Sequence, residues 1–114
     1  MIGTEQTIAL IGKNVGLVCF AQYSVYIHLE DSIIITIESG FEHVHNGTRR
    51  VHQLSSPLAE SSLLTILEST VTSATVKETG DLELNLSNGD RLRIYKEPEY
   101  ESYRLRIGGE ELTV

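Results

Sequence analysis

Gly80-Asp-Leu-Glu-Leu-Asn-Leu-Ser-Asn-Gly-Asp-Arg-Leu-Arg-Ile94 is the segment on which the interpretation of the fold depends. Leucines at every second position from Leu82 to Leu86 alternate with polar residues, which is the pattern of a strand with one buried face. Asn88-Gly89 follows this strand, and Asn-Gly favours a two-residue hairpin turn because both of its central residues need positive φ. The segment therefore predicts an antiparallel β-hairpin.

The chain contains an earlier copy of this pattern, so an internal repeat organises the sequence. In each copy an apolar segment leads into two alternating strands joined by a short turn. The copies cover about residues 8–38 and 66–107, and they predict two antiparallel three-stranded β-meanders. The aligned positions are Val15 with Val71, Phe20 with Val76, Val25 with Leu82, Ile27 with Leu84, Leu29 with Leu86, Ile35 with Leu92 and Ile37 with Ile94.

The segment between the copies predicts an α-helix over about residues 57–68. Ser56 is a suitable N-cap, and Pro57 suits the first helical position because its missing N–H would have no partner there. Leu63, Leu64 and Leu67 have the three- and four-residue spacing of one apolar stripe. We expect this helix to lie across a face of the sheet.

Two further segments complete the predicted fold. Gly40 to Gln53 is polar, rich in histidine and contains Asn46-Gly47, so it predicts a hairpin or a mobile loop. Tyr103 to Ile107 alternates apolar residues with arginines and predicts another strand, and Leu112 to Val114 predicts a short final one. The predicted fold class is α+β, a single domain over residues 1–114 in which the two meanders form either a sandwich or a barrel-like sheet.

Composition and charge limit the classes of function. With 40% hydrophobic and 22% charged residues, the chain has the composition of a globular protein rather than of a disordered tail. Its formal net charge of −7 opposes binding to nucleic acid and to anionic membranes. No apolar run reaches the roughly 20 residues of a membrane helix, and the first residues lack the basic start of a secretory signal. We therefore expect a cytoplasmic protein, in which the single Cys19 lies in the core without a disulfide.

Four segments of the chain combine patterned apolar residues with a specific aromatic turn: Leu64–Ala74, Gly80–Ile94, Pro98–Tyr103 and Gly109–Leu112. They resemble a bacterial domain family of unknown function, numbered 6188, and the first meander resembles the opening half of that family. The family usually carries a tryptophan where this chain has Tyr103, and the tail of this chain is shorter. The resemblance implies a fold and a bacterial or phage origin, and it brings no established activity or catalytic residues.

Four histidines raise the question of a metal site, and two of them could act together. His43 and His45 on one strand would place two imidazoles on the same side. Zinc needs three or four ligands, and the nearest acidic residues would reach these imidazoles only if the loop folded back. We therefore expect solvent-exposed loop histidines, no metal and no other cofactor. The four histidines are His28, His43, His45 and His52.

A cationic patch is the first candidate for binding a ligand or a partner. Arg91 and Arg93 alternate on one predicted strand, and Arg104 and Arg106 alternate on another. If the two strands paired, all four guanidinium groups would share one face and would suit carboxylates or phosphates. The alternative is that neighbouring glutamates such as Glu83 pair with these arginines as ordinary surface charges.

The outer face of the first meander is the second candidate, as an interface. Tyr26, His28, Ile34 and Thr36 occupy it, and they are less polar than their counterparts in the second meander. Either the predicted helix or another chain would cover this face. An exposed apolar sheet face is typical of an interface, so a protein partner or a homodimer is the second of these expectations.

No segment has the residues and spacing of a catalytic site. The glutamates of Glu97-Pro-Glu-Tyr-Glu101 have no histidine, lysine or metal-type spacing beside them, and no Gly-x-Ser-x-Gly or glycine-rich phosphate loop occurs. We expect a non-catalytic binding protein that occludes or sequesters a protein target, of the immunity or anti-defence type. The alternative is a module that binds a nucleotide or another small anionic ligand through the arginines.

Overall fold

The computed structural model describes residues 3–53, 62–98 and 101–114, and over these residues the chain is mostly β. One short α-helix, α1 (Thr4–Leu10), precedes ten antiparallel strands in the described residues. The strands are β1 (Val15–Phe20), β2 (Val25–Leu29), β3 (Ile33–Ile37), β4 (Phe41–His45), β5 (Thr48–His52), β6 (Val71–Val76), β7 (Leu82–Leu86), β8 (Arg91–Ile94), β9 (Tyr103–Ile107) and β10 (Glu110–Thr113). They form two five-stranded sheets, the first in the order β1-β2-β3-β9-β10 and the second in the order β5-β4-β8-β7-β6.

Each sheet is built from both halves of the chain. β1, β2 and β3 form one meander, and β6, β7 and β8 form another. β9 and β10 do not extend the second meander but join the first beside β3, while β4 and β5 join the second beside β8. The chain passes from one sheet to the other after β3 and again after β8. A hydrogen bond links these two connections, because Ser39 Oγ donates to the carbonyl of Tyr95 at 2.7 Å.

The two sheets share one pattern of strand pairing. β9 pairs with β3 so that Leu105 faces Ile35, and β4 pairs with β8 so that His43 faces Leu92. β1 and β6 also carry a pairing irregularity at the same place, directly after Val15 in β1 and directly after Val71 in β6. We use "corresponding positions" for residues that occupy the same place in this shared register.

The inner faces of the two sheets form the hydrophobic core. Buried residues alternate along β2 and β7, as the period of a strand requires. Tyr103 and Phe41, at corresponding positions on β9 and β4, are the two largest of the fully buried side chains. Burial of one large apolar side chain stabilises a fold by roughly 1.5–3 kcal/mol. The core therefore fixes β4 and β8; two histidines lie on β4, and an aspartate lies directly before β8.

Backbone hydrogen bonds join the two sheets at the starts of β1 and β6. Asn14 and Thr70 form an isolated antiparallel bridge, and the amide of Val15 donates to the carbonyl of Ser69 at 2.8 Å. α1 packs beside β6, with Leu10 buried. The two sheets are thus joined by backbone hydrogen bonds at one end.

The predicted helix over residues 57–68 is wrong in its described part. Ser56 and Pro57 lie outside the described residues, whereas Leu63–Ile66 forms a single 3₁₀ turn and Glu68 has a φ of 69°. The predicted apolar stripe is divided, because Leu63 is buried while Leu64 and Leu67 are exposed. Three-residue spacing suits a 3₁₀ turn as well as an α-helix, so the apolar pattern alone did not separate the two.

Several turn predictions are confirmed. Asn46-Gly47 joins β4 and β5 as a hairpin, which decides between the two alternatives for the histidine-rich segment. The hairpin of β7 and β8 is confirmed, and Gly89 has a φ of 92°, but the predicted two-residue turn is wrong: Asn88 has no positive φ, and three residues lie between the hydrogen-bonded Leu86 and Asp90. α1 was not predicted, since it is short and buries only Thr7 and Leu10. None of the helices in the described ranges has the length and apolar character needed to cross a membrane.

Candidate functional site

Two histidines and one aspartate meet on the inner side of the second sheet. Alternation along β4 places His43 and His45 on the same side, and Asp90 lies directly before β8, the neighbour of β4. Asp90 Oδ2 lies 2.7 Å from His43 Nε2, and Asp90 Oδ1 lies 2.7 Å from His45 Nδ1. One carboxylate therefore bridges two imidazoles, and we name these three residues the His–Asp cluster.

Hydroxyl groups complete the hydrogen bonding of the His–Asp cluster. Ser62 Oγ lies 2.6 Å from His43 Nδ1, and Thr65 Oγ1 donates to Asp90 Oδ2 at 3.0 Å. Asn88 Nδ2 in the β7–β8 turn donates to the carbonyl of Thr65 at 3.0 Å. The cluster therefore also fastens the 3₁₀ turn to the second sheet.

The His–Asp cluster is shielded from water except at His45. The side chains of His43 and Asp90 are 0% and 1% exposed, whereas that of His45 is 32% exposed. Burial by itself raises the pKa of the Asp90 carboxyl, but hydrogen bonds from His45, His43 and Thr65 outweigh burial and hold this pKa below its usual value. Asp90 is therefore an anion at neutral pH, and each of its two oxygens faces an imidazole nitrogen.

The order of Ser62, His43 and Asp90 superficially matches a hydrolytic triad, in which an imidazole passes a proton between a serine and the substrate. His43 is fully buried, however, and leaves no face of its imidazole open to a substrate. A second histidine also takes the other oxygen of Asp90. A buried, mutually hydrogen-bonded set of two imidazoles and a carboxylate is better suited to a fixed geometry than to proton transfer with a substrate at the surface.

Only one sheet contains this polar cluster. The positions corresponding to His43, His45 and Asp90 in the first sheet are apolar. Two of those apolar side chains are buried and the third is partly buried. The fold therefore accommodates apolar side chains at all three places, and it does not itself require the polar groups. The apolar counterparts, in the same order, are Leu105, Ile107 and Ile33.

The structure corrects the interpretation of the histidines as solvent-exposed loop residues. His43 is buried, and His52 is buried too, with its ring stacked on Phe41 at a centroid distance of 5.0 Å. His28 lies apart from them, on β2 in the first sheet. Sequence reasoning missed Asp90, because this residue was interpreted only as part of a hairpin. The alignment of Asp90 with Ile33 was a usable signal, since a charged residue stands where the other copy has an apolar one.

The predicted four-arginine face is wrong, because β8 and β9 lie in different sheets. Arg91 lies 3.3 Å from Glu42, and Arg93 Nε donates to Asp81 at 2.9 Å. Arg104 contacts two carboxylates, those of Glu38 at 2.8 Å and Glu111 at 3.1 Å. Three of the four arginines therefore form surface ion pairs, as the predicted alternative had it, although their partners are not Glu83. Ligand binding by any of the four stays a prediction.

Arg104 and Arg106 instead join the second candidate set. Register places Arg104 beside Thr36, which lies beside Tyr26, and places Arg106 beside Ile34, which lies beside His28. We name these six residues the first outer face. Arg106 is exposed and has no ion-pair partner within the described ranges. A depression of about 200 Å³ opens here, lined by Tyr26, Ile34, Thr36, Arg104, Arg106 and Glu111.

The outer face of the second sheet is occupied by paired charges. Glu42 lies 3.1 Å from Arg49 Nε and 3.3 Å from Arg91, and it accepts a hydrogen bond from the hydroxyl of Tyr95 at 3.1 Å. Burial raises the pKa of Glu42, but the hydrogen bond from Tyr95 and the charge of Arg49 outweigh burial and lower it. These groups already satisfy one another and offer little to a partner.

Comparison with known proteins supports the resemblance described above. A family model with the description "Family of unknown function (DUF6188)" matches residues 7–114, which is nearly the whole chain. No curated protein and no solved structure matches the chain. Function must therefore be inferred from the residues and geometry of the chain itself.

Proposed function

The chain belongs to the DUF6188 family of unknown function, and we propose that it is a binding protein whose partner is another protein held on the first outer face. The main observation in support is that the two outer faces have different residue types at corresponding positions. Since the second sheet has polar or charged residues at all four places, the fold does not demand the aromatic and apolar ones of the first. The pairs are Tyr26 with Glu83, His28 with Asn85, Ile34 with Arg91 and Thr36 with Arg93.

The residue types of the first outer face are those that protein interfaces favour. Tyrosine and arginine are enriched at interfaces because each combines a large contact area with hydrogen-bond donors. Ile34 and Tyr26 supply apolar area, and both are partly exposed. Beside Ile34, Arg106 presents a guanidinium that suits a carboxylate of the partner.

The size of the depression favours a protein over a small ligand. Pockets that enclose a small molecule usually measure roughly 300–1,000 Å³, whereas this depression measures about 200 Å³. Arg104 is also held by Glu38 and Glu111, so of the described residues that line the depression only Arg106 would be available to an anion. A shallow face of this kind suits a side chain projecting from a partner surface.

A rigid face of this kind also suits the inhibitor type of binding protein. β2, β3 and β9 each have a hydrogen-bonded strand on both sides, so their backbones are fixed before the partner arrives. Binding through a preorganised surface loses little conformational entropy, which favours tight complexes. We therefore propose that the protein occludes or sequesters its target, as immunity or anti-defence proteins do.

We also infer that the two halves of the chain are copies of one five-strand unit, the first covering β1–β5 and the second β6–β10. The shared register and the equivalent irregularities in β1 and β6 support this inference. The first outer face and the His–Asp cluster are then the places at which the copies have diverged in chemistry.

The test is affinity capture from the native host lysate with three tagged forms of the full chain: wild type, Ile34→Arg and Asn85→Arg. Ile34→Arg introduces on the first outer face the residue found at the corresponding position 91. Asn85→Arg adds the same charge to the exposed surface of the second sheet and serves as the matched control. Thermal unfolding of each form verifies that it is folded.

We expect one protein to be recovered by wild type and Asn85→Arg, and at least about ten-fold less of it by Ile34→Arg, as for loss of an interface hot spot. Equal recovery by all three forms, or recovery of no protein, would overturn the assignment of the face. Light scattering of the purified chain tests a second copy as the partner: a dimer that only Ile34→Arg dissociates would identify it. A separate capture with Arg106→Ala tests the small-ligand alternative, which an anionic metabolite lost only from that form would support.

A further inference from the structure

We propose that the His–Asp cluster is a binding site for a divalent transition metal ion, with Zn²⁺ as the first ion to test. The nitrogen and oxygen ligand atoms of His43, His45 and Asp90 all lie within 4.8 Å of one another. Two imidazoles and a carboxylate suit zinc and related ions, whereas Mg²⁺ and Ca²⁺ prefer sites made of oxygen atoms. Three protein ligands leave the fourth tetrahedral position to a water molecule.

The ligand atoms are close to the spacing that a metal ion needs. Bonds of about 2.0–2.1 Å to zinc place tetrahedral ligand atoms roughly 3.3 Å from one another. The Asp90 oxygens now lie 2.7 Å from His43 Nε2 and 2.7 Å from His45 Nδ1. Each of these two contacts has to lengthen by about half an ångström, and the three ligand atoms, all within 4.8 Å of one another, have to adjust to this common spacing. His45 is the partly exposed member, and it provides the side from which an ion enters.

Ser62 and Thr65 supply the outer contacts that hold metal ligands in place. In the metal-free chain the proton on His43 Nε2 faces Asp90, so binding an ion through Nε2 requires this proton to move to Nδ1; Ser62 Oγ lies 2.6 Å from Nδ1 and would accept that hydrogen bond. The hydroxyl of Thr65 donates to Asp90 Oδ2 at 3.0 Å and orients the carboxylate. Histidine and carboxylate ligands in metal sites are commonly oriented by partners of this kind.

The requirements of the fold do not account for the cluster. Leu105, Ile107 and Ile33 stand at the corresponding positions of the first sheet, where they pack as apolar residues. A buried polar network is often no more stable than apolar residues of similar volume, so its presence in only one sheet calls for a separate role. The cluster lies on the inner side of the second sheet, and this proposal is independent of the protein-binding face.

The test uses the full chain after metals have been removed with a chelator. Calorimetric titration with Zn²⁺ measures affinity and stoichiometry, and the visible absorption of added Co²⁺ reports tetrahedral coordination. We expect one ion per chain. His45→Gln removes the partly exposed ligand with little risk to the core and should weaken Zn²⁺ binding at least about ten-fold. His28→Gln removes a histidine of the first outer face and should bind Zn²⁺ as the wild type does.

Two further measurements separate a metal site from a purely structural cluster. Ser62→Ala should weaken Zn²⁺ binding about ten-fold while leaving all three ligands in place. Zn²⁺ in excess should raise the midpoint of thermal unfolding of the wild type but not that of His45→Gln, because an ion that binds only the folded state stabilises it. Absence of one-to-one binding at micromolar Zn²⁺, or equal binding by the wild type and His45→Gln, would overturn the proposal.

Discussion

The hydroxyl of Tyr103, at the start of β9 in the first sheet, donates a hydrogen bond to the carbonyl of Gly80 at 2.7 Å. Gly80 lies in the turn before β7, a strand of the second sheet, so this bond joins the two sheets. Tyr103 is fully buried, and the corresponding residue of the second sheet is Phe41, which has no hydroxyl. The bond is therefore specific to one end of the core.

Tyr103→Phe tests this bond, since it removes the hydroxyl and keeps the ring. The substitution leaves the Gly80 carbonyl without its donor and should lower the free energy of unfolding by about 1–2 kcal/mol. Tyr23→Phe is the matched control, because Tyr23 is 70% exposed and its loss of a hydroxyl should change stability by less than about 0.5 kcal/mol. Urea unfolding at neutral pH measures both, and equal effects would contradict a stabilising role of the bond.

The same hydroxyl predicts a loss of stability at alkaline pH. The pKa of Tyr103 is raised well above its usual value of about 10, mainly by burial and also by the charge of Asp81. The unfolded chain then loses this proton at lower pH than the folded chain does. The contribution to stability is therefore complete below about pH 10 and declines as the pH rises above that value.

Unfolding free energies measured from about pH 8 to about pH 11 should decline more steeply for the wild type than for Tyr103→Phe, which has no such proton to lose. The two proteins differ only at residue 103, so the difference between the curves isolates Tyr103. Parallel curves for the two proteins would contradict a raised pKa at this position.

The strand pairings show which parts of the fold local sequence could predict. Alternation from Leu82 to Leu86 and the pair Asn88-Gly89 are local signals, and they correctly predicted the hairpin of β7 and β8. The placement of β9 beside β3 is a pairing between distant segments, for which alternation contains no information. The arginines of β8 and β9 were therefore assigned to one face, although each strand was itself predicted correctly.

The His–Asp cluster was half predictable for a similar reason. His43 and His45 share one side of a strand wherever that strand lies, so their proximity followed from the sequence. Asp90 joins them only because β4 pairs with β8, which the sequence did not indicate. The first-sheet counterpart of Asp90 is Ile33, and this exchange of an apolar for a charged residue was the one local sign of a special position.

Gly89→Ala tests the turn on which the sequence interpretation depended. Gly89 has a φ of 92°, and an added Cβ would meet no heavy atom within 4 Å, so backbone strain is the main cost. We expect a loss of about 1–2 kcal/mol in the free energy of unfolding, the usual cost of a left-handed conformation for a residue with a side chain. Gly16→Ala is the control, because Gly16 lies on β1 without a positive φ and an added Cβ would be 4.0 Å from the nearest atom, the carbonyl of His28. A loss as large for Gly16→Ala would contradict the role assigned to the Gly89 backbone.

The last prediction exchanges the His–Asp cluster for its counterparts from the first sheet. Asp90→Ile alone should lower the free energy of unfolding by about 2–5 kcal/mol in the absence of metal, because it leaves two imidazoles without their acceptor. Adding His43→Leu and His45→Ile removes those stranded groups and recreates the apolar set found at residues 105, 107 and 33. The triple variant should therefore be more stable than Asp90→Ile, although it carries two more substitutions in the same region. Denaturant unfolding of the chelator-treated proteins measures the difference, and a triple variant less stable than the single one would show that the fold itself depends on the polar cluster.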